Sequence, residues 1–240
     1  MNILKQLIQL LVGLRKDNLK NEGQYIMIMK FDHVSYIAQR QDIDKVLGRF
    51  GQGFKLYFKE TDKENLCQKQ NLMHDKQEKH DLYFYNGRLP IEIIAYEMTY
   101  EGEQLDVNIE ERIFYAKSND MPTCVNILRC LGINEVIEEG SGLKCNLRGA
   151  LDREDLWLNI VLEKNIKPAY LDDMGFGCIT FWVDSMEKVQ KGLRNVDGVD
   201  TLTSPEVIVV NSRKLEVSFL RLKCLNIIFE LIVPVKRANQ

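Results

Sequence analysis

The sequence predicts an α+β fold built from repeated strand-helix-strand-strand-strand (βαβββ) units. Three segments, at 29–98, 110–164 and 175–235, follow this order of elements. Each begins with a strand-like run, continues with apolar residues at helical spacing, and ends with further strand-like runs. The 240 residues are 45% hydrophobic, so the chain is long enough and apolar enough to bury a sizeable core.

The first unit, 29–98, shows the pattern most clearly. Its opening strand at 31–38 leads into a helix at 42–50, whose apolar residues recur at the i, i+3, i+4, i+7 spacing. Gly51 follows at the position where a left-handed helix cap is favoured. Three further strands are predicted in this unit, at 54–58, 80–85 and 89–96.

The second and third units repeat this plan with shorter loops. The helix of the second unit is predicted near 121–131, and that of the third follows Asp184 or Ser185, either of which is a favourable N-cap. The strands of the second unit are predicted at 112–117, 134–137, 143–147 and 156–162. The strands of the third unit are predicted at 177–183, 205–210, 215–222 and 226–233.

The composition excludes several classes of protein. The 32 basic and 35 acidic residues nearly cancel, and no stripe of Lys and Arg is interleaved with aromatic residues. Because such a stripe is what tracks a phosphate backbone, nucleic acid is not a predicted partner. The six cysteines stand singly without a CxxC pair, which favours reduced core residues over a disulfide scaffold. We therefore predict a cytoplasmic location.

The N-terminal segment, 1–28, is predicted to be an amphipathic helix followed by a linker. Apolar residues within 3–14 recur at helical spacing, which suits docking on the body, on a partner or on a membrane surface, and we favour the body. The stretch is too short to cross a bilayer, so no transmembrane segment is predicted. An alternative is that translation begins at Met27 or Met29, because the residues that follow open a strand directly.

A polar excursion rich in Lys and Glu, at 59–79, interrupts the strands of the first unit. Such a run of charges is typical of a solvated loop, and the functional alternative is a lid over a pocket. His74 and His80 lie at the end of this excursion. His80 alternatively begins a strand and faces inward.

Three features of the first and third units resemble the vicinal oxygen chelate superfamily of glyoxalases, extradiol dioxygenases and bleomycin-resistance proteins. They are an opening strand of the form Phe-x-His, which carries His33, an immediate helix, and closing strands that carry Glu92 and Glu230 within Ile-Glu-Ile and Phe-Glu-Leu. The resemblance covers 29–98 and 175–235 well, whereas the middle unit shares only the order of its elements with the family. It implies that two βαβββ modules pair into a cupped mixed sheet, glyoxalase-like, which holds a divalent metal ion.

The resemblance also implies which residues hold that ion. Registering the units by their helix-ending glycines, Gly51 with Gly132, places Phe114 of the middle unit at the position of His33. The closing strands place Asn159 at the position of Glu92, so this unit has lost both ligand types. The same registration places Cys178 of the third unit at the position of His33, although Cys178 equally fits a small core residue. If units one and three share a cup, the metal site consists of His33, Glu92, Cys178 and Glu230.

An imidazole, two carboxylates and a thiolate suit Zn, Fe, Mn, Co or Ni. By resemblance, the ion would polarise two adjacent oxygens of a small oxygenated molecule, with Glu92 or Glu230 as the catalytic general base. The first predicted function is therefore a metal-dependent lyase, isomerase or dioxygenase. The alternative is a non-catalytic module that keeps the cup, lacks the metal, and binds a small molecule or docks a partner. Whether the chain is an enzyme stays open at this point.

The count of three units bears on assembly. Modules that close in pairs leave one unit with an unsatisfied sheet edge, which is a template for pairing with another chain. Either the middle unit caps the other two, or two chains pair. We predict a homodimer.

Overall fold

The computed structural model describes residues 28–51, 53–61, 69–75, 79–87, 89–102, 105–147, 155–210 and 213–235. The predicted N-terminal helix and Cys67 lie outside these residues. The helices are α1 (Ile43–Phe50), α2 (Met121–Cys130) and α3 (Met186–Leu193), with 3-10 turns at Arg40–Asp42 and Lys69–Leu72. The strands are β1 (Ile28–Gln39), β2 (Lys55–Thr61), β3 (His80–Tyr85), β4 (Ile91–Tyr96), β5 (Asp106–Asn108), β6 (Ile113–Ser118), β7 (Val136–Glu139), β8 (Gly142–Asn146), β9 (Trp157–Leu162), β10 (Gly175–Val183), β11 (Val199–Leu202), β12 (Glu206–Val210), β13 (Arg213–Leu222) and β14 (Ile228–Pro234).

The first and third units share one curved sheet. Its strands run in the order β11-β13-β14-β10-β1-β4-β3-β2. The strand β12 also pairs with β13, at 213–217, whereas β11 pairs with it at 220–222. The opening strands of the two units, β1 and β10, pair antiparallel at the centre of the sheet. Each closing strand, β4 or β14, lies parallel to the opening strand of its own unit. The predicted α+β fold, with βαβββ modules forming a cupped mixed sheet, is confirmed.

The middle unit forms a second sheet, in the order β5-β6-β9-β8-β7. A continuous apolar core lies between the helices, the outer face of the cup and one face of this second sheet. Aromatic rings connect the two sheets: Phe31 of β1 lies 6.0 Å from Phe114 of β6 and 6.0 Å from Phe181 of β10. This core covers the outer face of the cup. The inner face of the cup is therefore formed by the side chains that point the other way along the same strands.

The edge of β6, the opening strand of the middle unit, is paired within the chain. In a two-module cup this edge would join another module. Here the short strand β5 pairs with the first half of β6. Asn226 covers the second half, since it accepts a hydrogen bond from the Lys117 amide at 2.6 Å and donates its own amide to the Lys117 carbonyl at 3.2 Å. The premise from which we predicted a homodimer therefore does not hold at this edge.

Local sequence explains where the helices begin and end. Ser185 is the N-cap of α3, as one of the two predicted caps, because its hydroxyl accepts a hydrogen bond from the Lys188 amide at 3.3 Å. Asp120 caps α2 in the same way. Gly51 and Gly132 end α1 and α2 with φ values of 89° and 86°, a conformation that glycine adopts without strain.

Within the described residues, no helix is long and apolar enough to span a membrane.

Candidate functional site in the cup

Strand alternation places polar side chains on the inner face of the cup. In the parallel pair β1–β4, Ser35 lies opposite Glu92, and in the parallel pair β10–β14, Thr180 lies opposite Glu230. His33 precedes Ser35 by two residues and therefore faces the same side. Of these residues, His33, Glu92 and Glu230 line a pocket of about 480 Å³. Its apolar walls include Leu82, Phe84, Trp182, Phe219 and Ile232.

The His33 ring is held in place from both of its nitrogens. Its Nδ1 donates to Asp32 at 2.8 Å, and Asp32 in turn accepts a hydrogen bond from the Trp182 indole at 2.7 Å. The Nε2 atom faces into the cup, 3.1 Å from the Thr180 hydroxyl. A carboxylate that fixes one ring nitrogen, and so directs the other, is the usual support of a histidine that binds a metal.

The two carboxylates reach the same histidine nitrogen from different modules. Oε2 of Glu92 lies 3.4 Å from His33 Nε2, and Oε2 of Glu230 lies 3.8 Å from it. Each carboxylate also accepts a hydrogen bond from the hydroxyl opposite it, from Ser35 at 3.0 Å and from Thr180 at 2.6 Å. The structure therefore brings three of the four sequence-predicted residues together.

Burial and charge set the protonation of this cluster. Burial lowers the pKa of His33, but Glu92, the Asp32 hydrogen bond and Glu230 together raise it well above its ordinary value. Burial raises the pKa of Glu92, but the charge and hydrogen bond of His33 outweigh burial, so the net shift is downward. Burial raises the pKa of Glu230, and the neighbouring Glu92 adds to this rise. Glu92 is therefore the more acidic carboxyl, and Glu230 the more basic carboxylate.

Cys178 holds the place in β10 that His33 holds in β1, two residues before the hydroxyl that faces the closing-strand glutamate. Its thiol packs in an apolar cluster and lines a smaller cavity of about 20 Å³, together with Glu92 and Glu230. Burial, and then the charge of Glu230, raise the pKa of this thiol well above its ordinary value. Cys178 is therefore a neutral thiol beside the carboxylates, outside the lining of the larger pocket.

The register of the middle unit differs from the one predicted by one residue. Tyr115 lies opposite Asn159 in the pair β6–β9, as Ser35 lies opposite Glu92. Ile113, not Phe114, therefore holds the position of His33, and Phe114 points into the core, fully buried. Counting from the helix-ending glycines was wrong here because it ignores the strand pairing that sets which side a residue faces.

Part of the polar excursion covers one end of the cup. Leu72 is fully buried, and its carbonyl accepts a hydrogen bond from the Leu171 amide at 2.8 Å. The Asp172 carboxylate accepts hydrogen bonds from the amides of His74, at 2.9 Å, and Asp75, at 3.1 Å. The His74 ring also bonds Asp173 at 2.8 Å. The solvated-loop interpretation is therefore wrong for Lys69, Leu72 and Met73, which are buried at one end of the cup.

Lys69 is the first residue of the 3-10 turn Lys69–Leu72, which we call the covering turn, and it projects into the cup. It is only 5% exposed, and it lines both cavities beside Glu92 and Glu230. Its charge is among the causes that lower the pKa of each of these carboxyls. The sequence alone did not indicate Lys69, Asp32, Ser35 or Thr180. Ser35 and Thr180 could have been found by aligning β1 with β10.

His80 begins β3 and faces inward. This is the alternative placement predicted for it, and not a position in the polar excursion. It is fully buried, and its ring lies 5.4 Å from that of Tyr96. Burial, and then the charge of Lys69, lower the pKa of His80 from 6.5 to about 4. His80 is therefore neutral in the folded protein at pH 7.

This shift predicts acid sensitivity. The unfolded chain binds a proton at His80 as the pH falls below 6.5, whereas the folded chain does so only near pH 4, so stability falls across this window. We expect this residue to account for a loss of roughly 3 kcal/mol. Thermal melts of wild type and His80→Phe between pH 4 and 7 measure it. The variant should lose less stability towards pH 4, and parallel curves would contradict the assignment.

Comparisons with known proteins give similarity in structure only. No family model and no curated protein matches this sequence. The chain is similar to glyoxalase I from Zea mays, with 10% identity over 88% of this chain and 71% of that one, at a TM-score of 0.35. It is similar to a putative dioxygenase from Bacillus subtilis, with 12% identity over 88% of this chain and 64% of that one, at a TM-score of 0.31. It is also similar to a Mn(II)-bound glyoxalase from Novosphingobium aromaticivorans, with 10% identity over 88% of this chain and 85% of that one, at a TM-score of 0.26.

The strand order settles the fold. Two βαβββ modules, joined through β1 and β10, make one cup, and each contributes a glutamate from its closing strand. The chain has a glyoxalase-like fold.

The donor set of the glyoxalase-like cup suits a divalent ion. One imidazole nitrogen and two carboxylates face each other. The His33 ring is oriented by donating to Asp32, and the two carboxylates accept hydrogen bonds from the hydroxyls of Ser35 and Thr180. Within the described residues, no three His, Cys, Asp or Glu side chains are already spaced to hold an ion. Instead, His33 Nε2 lies 3.4 Å from Oε2 of Glu92 and 3.8 Å from Oε2 of Glu230, which are ion-pair distances for a protonated imidazole.

Proposed function

We propose that the cup binds a small oxygenated molecule beside a divalent metal ion held by His33, Glu92 and Glu230. The observation that supports this proposal is the convergence of these three side chains, from three strands of two modules, on one pocket. Zn, Fe, Mn, Co and Ni all accept such a set of nitrogen and oxygen ligands. Cys178 stays a predicted fourth ligand, whose thiol would have to lose the proton that burial keeps on it.

The bound ion would supply Lewis-acid polarisation of substrate oxygens. The residues of the cup supply the rest. The general base would be Glu92 or Glu230, and of the two Glu230 has the higher pKa in the metal-free cup. The Thr180 hydroxyl donates to Glu230 and so fixes its position. Proton transfer at a carbon atom of the substrate, as in a lyase or isomerase, is the reaction that this arrangement favours.

The shape of the pocket limits the substrate to a small molecule. A volume of about 480 Å³ lies in the usual range of small-molecule sites, and the apolar walls suit a hydrocarbon or aromatic body. Within its lining, His33, Glu92 and Glu230 lie together. The substrate would therefore carry its oxygen atoms at one end and an apolar group at the other.

Metal analysis tests the proposal. Protein purified without chelators should contain about one equivalent of metal, and saturating Mn, Co, Ni or Zn should raise the Tm of metal-free protein by roughly 5 to 10 °C. The control is the exposed-residue variant Glu97→Gln, which should behave like wild type. Less than about 0.1 equivalent, with no rise in Tm for any of these ions, would contradict it.

A metal-free binding module is the second candidate, and the burial of Lys69 beside the carboxylates favours it. In that case the charges of His33 and Lys69 neutralise the cup without an ion. Calorimetric titration with small carboxylic and hydroxylated acids in the presence of chelator would then show binding. Under the first candidate, the same titration requires added metal.

The homodimer and the cytoplasmic location stay predictions. Since the edge of β6 is paired within the chain, a homodimer would have to form through another surface, such as the outer edge of β7. Light scattering at several concentrations measures the mass directly, and a strictly monomeric mass would contradict the homodimer.

A further inference from the structure

Lys69 occupies an unusual place for a lysine. Fully buried lysines are rare because a charged ammonium loses its hydration, and those that occur are paired with anions. Lys69 is 5% exposed, and the segment that carries it is fixed to the loop at 171–173 by hydrogen bonds from the Leu171 amide to the Leu72 carbonyl and from the His74 amide to the Asp172 carboxylate. The fold therefore presents this ammonium to the cup and does not release it to solvent.

The charges around Lys69 show what it does there. Three carboxylates, from Asp32, Glu92 and Glu230, line the larger pocket, whose lining also contains His33 and Arg213 as basic side chains besides Lys69. Asp32 is engaged by His33 and Trp182, at a distance from the smaller cavity. Lys69 lines that smaller cavity together with the other two carboxylates. Buried carboxylates without such a cation would carry a large desolvation penalty.

We propose that the Lys69 ammonium is the resident cation of the Glu92 and Glu230 carboxylates, and that a divalent ion binds them only by displacing it. The second half of this statement rests on the proposed function, and the first half does not. A lysine can serve in this way because its ammonium is a compact charge on a flexible four-carbon stem. The stem can move aside while the backbone of the covering turn stays in place.

The test replaces Lys69 by Met, which keeps an unbranched apolar stem, one atom shorter, and removes the charge. Metal-free Lys69→Met should melt about 5 to 15 °C below wild type, because a buried charge network has lost one partner. Its affinity for Mn or Co should rise by about tenfold or more, because no ammonium competes for the carboxylates. The matched control is Lys79→Met, which removes an exposed lysine near the same turn and should change neither quantity.

Two measurements separate the possible outcomes. The resident cation is supported if Lys69→Met lowers the Tm of metal-free protein and the double variant Lys69→Met/Glu230→Gln largely restores it. This conclusion holds even if neither wild type nor Lys69→Met binds metal, in which case only the metal proposal fails. A metal-free Tm equal to that of wild type overturns the resident cation, whatever the metal content. If both proteins bind metal with equal affinity, the displacement is overturned.

Loss of folding would also be informative. If Lys69→Met does not fold, the double variant Lys69→Met/Glu230→Gln decides the question, since it removes the carboxylate charge together with the ammonium. A folded double variant supports the resident cation, because the single variant then failed through uncompensated charge. An unfolded double variant overturns it, because lost packing of the lysine stem then explains both results.

Discussion

His33→Ala is expected to reduce bound metal from about one equivalent per chain to less than about 0.1, and to weaken metal affinity by more than about 100-fold. His33 supplies the only nitrogen in the described donor set, and Asp32 and Trp182 hold its ring in the direction of the carboxylates. The two carboxylates that remain would still attract a cation, but without a fixed coordination geometry. Elemental analysis and calorimetric titration with Mn and Zn measure both effects.

Two further variants make the result specific. His74→Ala removes a histidine that lies outside the cup, bonded to Asp173, and should keep the metal. Asp32→Asn should weaken metal binding by about 10- to 100-fold, because the amide no longer accepts strongly from the His33 ring. Metal retained in His33→Ala at the level of wild type would contradict the proposed site.

Phe181→Ala is expected to lower the free energy of unfolding by about 3 to 5 kcal/mol, with a fall in Tm of roughly 10 °C. Phe181 is fully buried in β10, where its ring lies 6.0 Å from that of Phe31 and 6.1 Å from that of Phe229. Its removal leaves a cavity in the core that joins the cup to the second sheet. Urea denaturation and thermal melts measure the loss.

The control for this prediction is Tyr115→Ala. Tyr115 is an aromatic residue on the open face of the second sheet, 37% exposed, so its truncation should cost less than about 1 kcal/mol. A loss below about 1 kcal/mol for Phe181→Ala as well would show that the core joining the two sheets contributes little to stability.

The order of elements was predictable from the sequence because most strands are long enough to show alternation. The 10-residue strand β13 alternates apolar and polar residues over 215–219, and the 9-residue strand β10 is a nearly continuous apolar run. The strands β5 and β11 have only 3 and 4 residues, too few for a period of two, and neither was predicted. Short strands of this kind form because a long neighbour offers its free edge.

The candidate site was predictable only in part. His33, Glu92 and Glu230 stand on opening and closing strands, whose places in the cup follow from the order of elements. Lys69 could not be found in this way, because it belongs to a charged stretch that locally reads as a solvated loop. Its burial depends on Leu72 and Asp172, which fix the covering turn to a loop about 100 residues further along the chain.

A crystal structure of protein grown with Mn or Zn, with diffraction recorded on both sides of the absorption edge of that metal, tests the central claim most directly. The account predicts one anomalous peak in the cup, bonded to His33 Nε2 and to carboxylate oxygens of Glu92 and Glu230, with the Lys69 ammonium moved away from them. A cup without an anomalous peak, in crystals that contain the ion at saturating concentration, would contradict it.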